Sequence, residues 1–212
     1  MRSLIPFVAS VLLATPAVAR PITYPGGSMA MFEYAYGSWS NEAMYTVTPT
    51  YSVAVRSDYD REFNWQFQGL GVNYLAYRNN AAEGQTNVYL MGSAGVMSED
   101  RAAFGKDPKA AVMGGVEADW ENRRFLVLGQ VKGFAADGGR KALNWRGRVG
   151  VAPYIGEYGD LHTWLMLQVD NRPTYKDPVL VTGLVRFFKG PVLVEIGASQ
   201  RGDAFATAMF YF

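Results

Sequence analysis

Asp203-Ala204-Phe205-Ala206-Thr207-Ala208-Met209-Phe210-Tyr211-Phe212 decides the fold. Counting back from Phe212, the residues Phe210, Ala208, Ala206 and Ala204 share its face, and all are apolar. A period of two belongs to a β-strand, whose side chains alternate between faces. A strand with one wholly apolar face and an aromatic end has the pattern of the closing strand of a membrane barrel. Such a sheet must close, because an open edge would leave backbone groups unpaired in hydrocarbon. Phe210 and Phe212 are therefore the candidate C-terminal assembly signal.

The other end of the chain agrees. Arg2 gives a positive n-region, Leu4 to Ala14 an apolar stretch broken only by Pro6 and Ser10, and Ala17-Val18-Ala19 a small-x-small cleavage site. The stretch is too short to span a bilayer as a helix. The sequence thus divides into a signal peptide (1–19), an N-terminal periplasmic segment (20–28) and a barrel (29–212). There is no cysteine, which excludes a lipoprotein, disulfides and thiolate metal sites. Removing Arg2 with the leader leaves 19 basic residues against 19 acidic. No polybasic run points to nucleic acid or anionic lipid.

Period-two alternation runs through the mature chain, and no long segment shows a helical period. Twelve strands are expected, at 29–36, 42–48, 51–59, 63–77, 86–97, 110–120, 124–134, 142–154, 161–170, 179–188, 191–199 and 204–212. Turn chemistry breaks them, as at Thr48-Pro49-Thr50, Asp137-Gly138-Gly139 and Lys189-Gly190-Pro191. Pro49 cannot donate to a central ladder and splits one long run into a hairpin. Twelve is preferred to eleven because bacterial barrels have an even number of strands, and ten is the alternative. Both termini fall on the periplasmic side. The segments 98–109, 135–141 and 171–178 are then external loops, and 78–85 is long for a periplasmic turn.

Facing separates a membrane barrel from a soluble one. Val112, Val116, Val127, Val131, Trp145, Val149, Leu165, Leu167, Val181, Val185, Val194 and Ile196 share the outward parity. The other parity carries Glu117, Asp119, Gln130, Lys132, Asn144, Arg146, Arg148, His162, Gln168, Arg186 and Glu195. Apolar outside and polar inside is the reverse of a soluble barrel. Two-residue turns would place Glu117 opposite Leu128 and Arg186 opposite Leu193, with Glu195 diagonal to Arg186. Aromatics gather at the rims: Trp120, Phe125, Phe187, Phe210 and Phe212 toward the periplasm, Tyr59, Phe63, Trp65 and Trp145 toward the outside. Such girdles mark membrane interfaces.

Catalytic chemistry has little to work with. The single histidine, His162, would have to serve any Ser-His-carboxylate site, and it sits beside a periplasmic turn with inward parity; no Gly-x-Ser-x-Gly elbow exists. A lipid-modifying enzyme using His162 is therefore the weakest alternative, a wall-lining, hydrogen-bonded histidine is the simpler reading, and no catalytic residue is assigned. One histidine and no cysteine exclude multi-His and zinc-finger sites, and neither metal nor cofactor is expected. Nine methionines suit Cu(I) in principle, but Met is also a space-filler and no Met-x-x-Met cluster appears. The inward charges matter more. Glu33, Asp58, Glu117, Asp119 and Glu195 stand against Arg56, Lys132, Arg146, Arg148 and Arg186. Equal numbers suggest paired charges, not a ring of one sign. Trp164, Tyr154 and Tyr89 would narrow the lumen further.

Several segments carry a family resemblance. They are Tyr45 to Val53, Asn73 to Arg78, Asp119 to Arg124, Arg148 to Val169, Leu184 to Gly190, and Val194-Glu195. They resemble a family of proteobacterial outer-membrane β-barrel proteins associated with heavy-metal efflux gene surroundings. The resemblance implies no activity and no site residues. Its longest stretch singles out strands eight and nine and the turn Ile155-Gly156-Glu157-Tyr158-Gly159-Asp160 before His162.

The expectation is an all-β, antiparallel up-and-down barrel in the outer membrane of a Gram-negative bacterium. It would act as a narrow channel or envelope component linked to metal tolerance, with a structural or partner-docking barrel as the alternative. Outer-membrane lipid and the barrel-assembly machinery are the expected partners, with a periplasmic partner docking at 155–160.

Overall fold

Tyr36 and Gly37 both hold positive φ, 56° and 81°. That is the backbone of a two-residue type I′ turn, whose twist matches the flanking strands. The turn joins β1 (Ser28–Ala35) to β2 (Ser38–Thr48), with Ala35 paired to Ser38. The computed structural model describes residues 22–62, 64–99, 108–157, 159–173 and 175–212. The expected signal peptide, Phe63 of the expected outer girdle, and Tyr158 of the expected 155–160 turn lie outside them.

Ten further strands follow: β3 (Tyr51–Asp60), β4 (Trp65–Ala81), β5 (Gly84–Glu99), β6 (Lys109–Glu121), β7 (Phe125–Ala136), β8 (Arg140–Val151), β9 (His162–Asn171), β10 (Val179–Lys189), β11 (Val192–Ser199) and β12 (Ala204–Tyr211). Among the described residues these twelve strands form one closed antiparallel barrel in sequence order. β1 and β12 make the seam, from Met29 opposite Tyr211 to Ala35 opposite Phe205. Backbone bonds continue it: Ser28 N donates to the Phe212 carbonyl at 3.1 Å and Phe212 N to the Ser28 carbonyl at 2.9 Å. Among the described residues no helix is long and apolar enough to cross a membrane; strands do the crossing.

The strand limits depart from expectation in three places. The segment 78–85 is not a loop: β4 and β5 stay paired to Ala81 and Gly84, so the hairpin closes on Ala82-Glu83 and projects beyond β3, while β5 stays paired with β6 down to Gln85. Past Tyr74, β4 has no partner on β3, so polar Arg78, Asn79 and Asn80 suffice there. β2 starts four residues early because the turn before it is so tight. β8 ends at Val151 rather than 154, since Pro153 has no N–H to give. Tyr154 accordingly leaves the lumen, is 45% exposed, and donates to the Leu161 carbonyl in the periplasmic turn.

Register departs too, by an even step that preserves facing. The β6–β7 ladder closes on Glu121 opposite Leu126, with Asn122 to Phe125 making the turn. Glu117 therefore lies opposite Gln130, and Asp119 opposite Leu128. Arg186 lies directly opposite Glu195. The outer wall carries Val112, Val116, Val127, Val131, Trp145, Val149, Leu165, Leu167 and Ile196, all exposed. Leaving a large apolar side chain in water forfeits roughly 1.5–3 kcal/mol. A wall of them is stable only against lipid. Two expected girdle residues are absent from that wall. Trp65 turns inward onto Phe134, ring centroids 5.0 Å apart, and Tyr59 is buried.

The core is the lumen itself. Trp65, Phe67, Met97 and Ala111 fill its outer half on the β4–β6 side, with Phe134 of β7 packed against them. Ala35, Leu126, Ala152, Trp164, Met166, Leu184 and Phe205 form a column on the other side. Met29, Met44 and Ala54 pack with Met31 and Met209. At the periplasmic mouth Ile22 seats against Leu75 and Tyr89.

Candidate functional site: a charged strut across the lumen

Alternation along each strand aims one charged side chain in two at the barrel axis. In a lumen packed this closely those side chains must meet. Arg146 of β8 and Glu33 of β1 sit on nearly opposite walls. They nevertheless make a two-pronged ion pair, Nη1 to Oε2 and Nη2 to Oε1, both 3.0 Å. The guanidinium fork matches the carboxylate and fixes its orientation. Arg146 Nε donates to Asp170 Oδ1 of β9 at 2.7 Å. The result is a strut spanning the pore.

Two cavities lie on either side of it. The outer has a volume near 160 Å³ and is lined by Asp58, Trp65, Phe134 and Asn144 among others. The inner, near 90 Å³, is lined by Met29, Met31, Met44, Met91 and Met209 with Glu117, Arg186 and Glu195. Glu33, Glu42, Gln130, Lys132 and Arg146 line both and form the partition.

A second network runs below the strut. Arg148 Nη1 donates to Glu195 Oε1 at 2.8 Å, and Arg186 Nε donates to the same oxygen at 2.6 Å. Arg148 Nε also donates to Gln168 Oε1 at 2.9 Å, and Gln168 donates to Asp170 Oδ2 at 2.6 Å. Asp170 thus ties both networks together. Across the barrel, Arg56 and Asn73 both donate to Glu42 Oε1, at 3.2 and 3.0 Å, and Asn87 donates to Asp119 at 2.8 Å.

The external mouth is partly capped by residues the sequence reading passed over. Tyr36 folds inward from its turn and donates to Asp170 Oδ2 at 2.7 Å; Thr182 Oγ1 lies 2.7 Å from the same phenol. Burial first, and then the negative charge of Asp170, push the Tyr36 phenol up to about 12. Arg172 lies over the Tyr36 ring at 5.0 Å and the Tyr175 ring at 5.3 Å. Tyr175 donates to Asp60 Oδ2 of β3 at 2.9 Å, so the 172–178 loop reaches across the opening. Asp170 could have been flagged by parity. Tyr36 could not: it was read as the last residue of the first strand, and in the structure β1 ends at Ala35 and a turn backbone aims the phenol.

The remaining candidates fall apart from this site. His162 opens β9, contacts the Phe188 ring at 6.3 Å, and among the described residues makes no hydrogen bond. The bonded histidine of the sequence reading is thus corrected to a packed one. Gly156, Glu157, Gly159 and Asp160 lie in the periplasmic turn. There Arg123 donates to the Gly156 carbonyl at 2.9 Å and Asp160 Oδ2 accepts from Glu157 N at 2.8 Å. Phe210 lies on β12, and Phe212, 70% exposed, follows it at the seam. Among the described residues no group of three or more His, Asp or Glu could hold a metal ion.

Neither a protein-family model nor a curated protein matches the sequence. Solved structures do. The KdgM porin matches at 9% identity with a TM-score of 0.53, over 88% of this chain and 98% of that one. The KdgM porin in complex with disordered oligogalacturonate matches at 10% identity with the same score and coverage. A loop-deletion mutant of OmpT, an outer membrane protein of Vibrio cholerae, matches at 9% identity over 88% of this chain and 97% of that one, with a TM-score of only 0.30. Among the described residues the chain forms a closed twelve-stranded β-barrel with the fold of the KdgM porin, and its outer wall is apolar, as a barrel in lipid requires.

Proposed function

We propose that this barrel is a narrow outer-membrane channel for small polar solutes, held shut at mid-lumen by the Glu33–Arg146 strut. The observation that carries the reading is the pair of cavities meeting at that strut: charged and polar groups line both, and the Glu33–Arg146 ion pair stands in the partition between them. One similar porin is described with oligogalacturonate. The lumen here balances arginines against carboxylates, which favours solutes without strong net charge over an acidic oligosaccharide. The heavy-metal connection rests on the family resemblance alone, and the similar structures name porins and no metal. Outer-membrane lipid and the barrel-assembly machinery are the partners this reading implies.

Planar-bilayer recording of the refolded protein tests it. The wild type should show small or rare conductance steps. Removing both members of the strut, Glu33→Ala with Arg146→Ala, should give larger, frequent steps. Both are removed because deleting one partner of a buried pair strands the other, at a cost of about 3–5 kcal/mol. Silence in both proteins would reject the channel. It would favour the docking alternative, for which the braced turn at 155–160, presenting Ile155, is the surface.

A further inference from the structure

The ion pairs of the lumen leave three charged groups over beside the partition, apart from Arg172 and Asp60, which Tyr175 engages at the mouth. Of the carboxylates lining the two cavities, Glu33 and Asp170 are held by Arg146, Glu42 by Arg56, and Glu195 by Arg148 and Arg186. Asp60 is bonded by Tyr175. Asp58 of β3 lines the outer cavity and takes a hydrogen bond from Ser40. Glu117 of β6 lines the inner cavity and takes one from Gln130. Both donors are neutral, and among the described residues no cation stands at ion-pair distance from either carboxylate. Lys132 of β7 lines both cavities and likewise makes no ion pair among the described residues. Its charge still acts on Asp58 and Glu117, and on Glu33 in the strut. Along the barrel axis the sequence is therefore carboxylate, ammonium, carboxylate, with the ammonium at the partition.

We infer that Lys132 is a tethered counterion shared by Asp58 and Glu117, and that it sets the charge preference of the lumen. The inference rests on the channel reading and names its solute class. A lysine suits the role where an arginine would not. Its ammonium is a compact point charge on a flexible four-carbon stem, without the planar fork that locks Arg146 to Glu33. It can turn toward the outer carboxylate or the inner one without committing to either. A small cation entering the outer cavity is drawn by Asp58 and repelled by Lys132. A small anion meets the opposite pair. A neutral polar or zwitterionic solute finds donors and acceptors and no net barrier. The arginines cannot substitute for Lys132: Arg56, Arg146, Arg148 and Arg186 each already hold a carboxylate, and Arg172 stays at the mouth, over the Tyr36 and Tyr175 rings.

The test is the reversal potential of the full mature barrel in a KCl gradient, recorded in the wild-type and strut-less backgrounds. Four lumens are compared: unaltered, Lys132→Gln, Asp58→Asn with Glu117→Gln, and all three changes together. The unaltered lumen should pass K⁺ and Cl⁻ about equally. Lys132→Gln should raise the K⁺ preference about tenfold, the low end of what a one-sign, low-dielectric cleft does to local counter-ion concentration. The carboxylate pair should shift it toward Cl⁻, and the triple change should return it near the starting ratio. An unchanged ratio in Lys132→Gln, or a shift that survives in the triple variant, overturns the inference. If no lumen conducts in either background, the channel reading fails by itself. Thermal unfolding then decides the counterion role: Lys132→Gln should lower the midpoint and the triple variant recover it, while additive midpoints would overturn it.

Discussion

Tyr36 shows how one residue can matter out of proportion to its sequence signal. It sits in a two-residue turn at φ 56°, a conformation uncommon for any residue but glycine, asparagine or aspartate. That backbone aims the phenol into the mouth, where Asp170 accepts its proton. The phenol's affinity for that proton rises from the ordinary 10.0 to about 12, burial being the larger cause and Asp170 the next. A group that holds its proton more tightly when folded stabilises the fold fully below its unfolded pKa and stops doing so as pH passes its folded one. The cap should therefore hold up to pH 10 and loosen between 10 and about 12. In Tyr36→Phe, unfolding midpoints should lose the part of their pH dependence that falls in that window. An identical alkaline profile in the two proteins would remove Tyr36 from the cap. None of this was legible at Tyr36, which the sequence reading places at the end of the first strand, 29–36. The charged partners were legible: parity alone placed Arg146, Arg148, Arg186 and Glu195 in the lumen. Parity cannot say that Arg146 crosses to Glu33, because partners on distant strands depend on how far the barrel shears as it closes.

At the scale of elements, strands with strong alternation were the readable ones. β6 to β12 carry a continuous apolar outer face and keep their charged residues on the inner one, and their limits shift by only a few residues between sequence and structure. The misread pieces are those whose pairing is not driven by burial. The lower part of the β4–β5 hairpin, with Arg78, Asn79 and Asn80, is exposed and held by its backbone ladder and by Arg78 Nε donating to Asn87 at 2.8 Å. The pairing across the Asn122–Phe125 turn was misjudged by two residues. There Asn122 Oδ1 accepts from both Arg124 N and Phe125 N at 2.7 Å, making an Asx-type turn. β12 is the element on which closure depends. Phe212 pairs with Ser28, and its carbonyl also accepts from Tyr24 at 2.8 Å. Deleting Phe212 should lower the yield of heat-modifiable barrel in outer-membrane fractions. A normal yield would show that the seam closes without its aromatic end.

For the whole molecule, the decisive property is the inversion of the usual protein. The polar groups are inside, joined to each other, and the apolar groups are outside. Val127 and Val149 lie opposite one another on β7 and β8, and both are half exposed on the outer wall. Val127→Arg should destabilise the refolded barrel by about 2–4 kcal/mol, the cost of arginine near the bilayer midplane in such barrels. Val127→Leu should leave the urea midpoint unchanged, since leucine is equally at home in lipid. Equal midpoints for the two variants would mean that this wall does not face hydrocarbon.

The strands are unequal in length, and the inequality is not scattered. β11, β12 and β1 are neighbours at the seam and hold 8 residues each, whereas β4 and β5, on the other side, hold 17 and 16. A tilted strand needs about 9–11 residues to cross the hydrocarbon layer. The bilayer must therefore pinch along one flank of the barrel and relax to full thickness along the other. Each ångström of pinching costs a fraction of a kcal/mol, and two pinched flanks brought together share one deformed strip of lipid. In thicker membranes two such barrels should therefore attract one another along their seams, with no complementary surface needed.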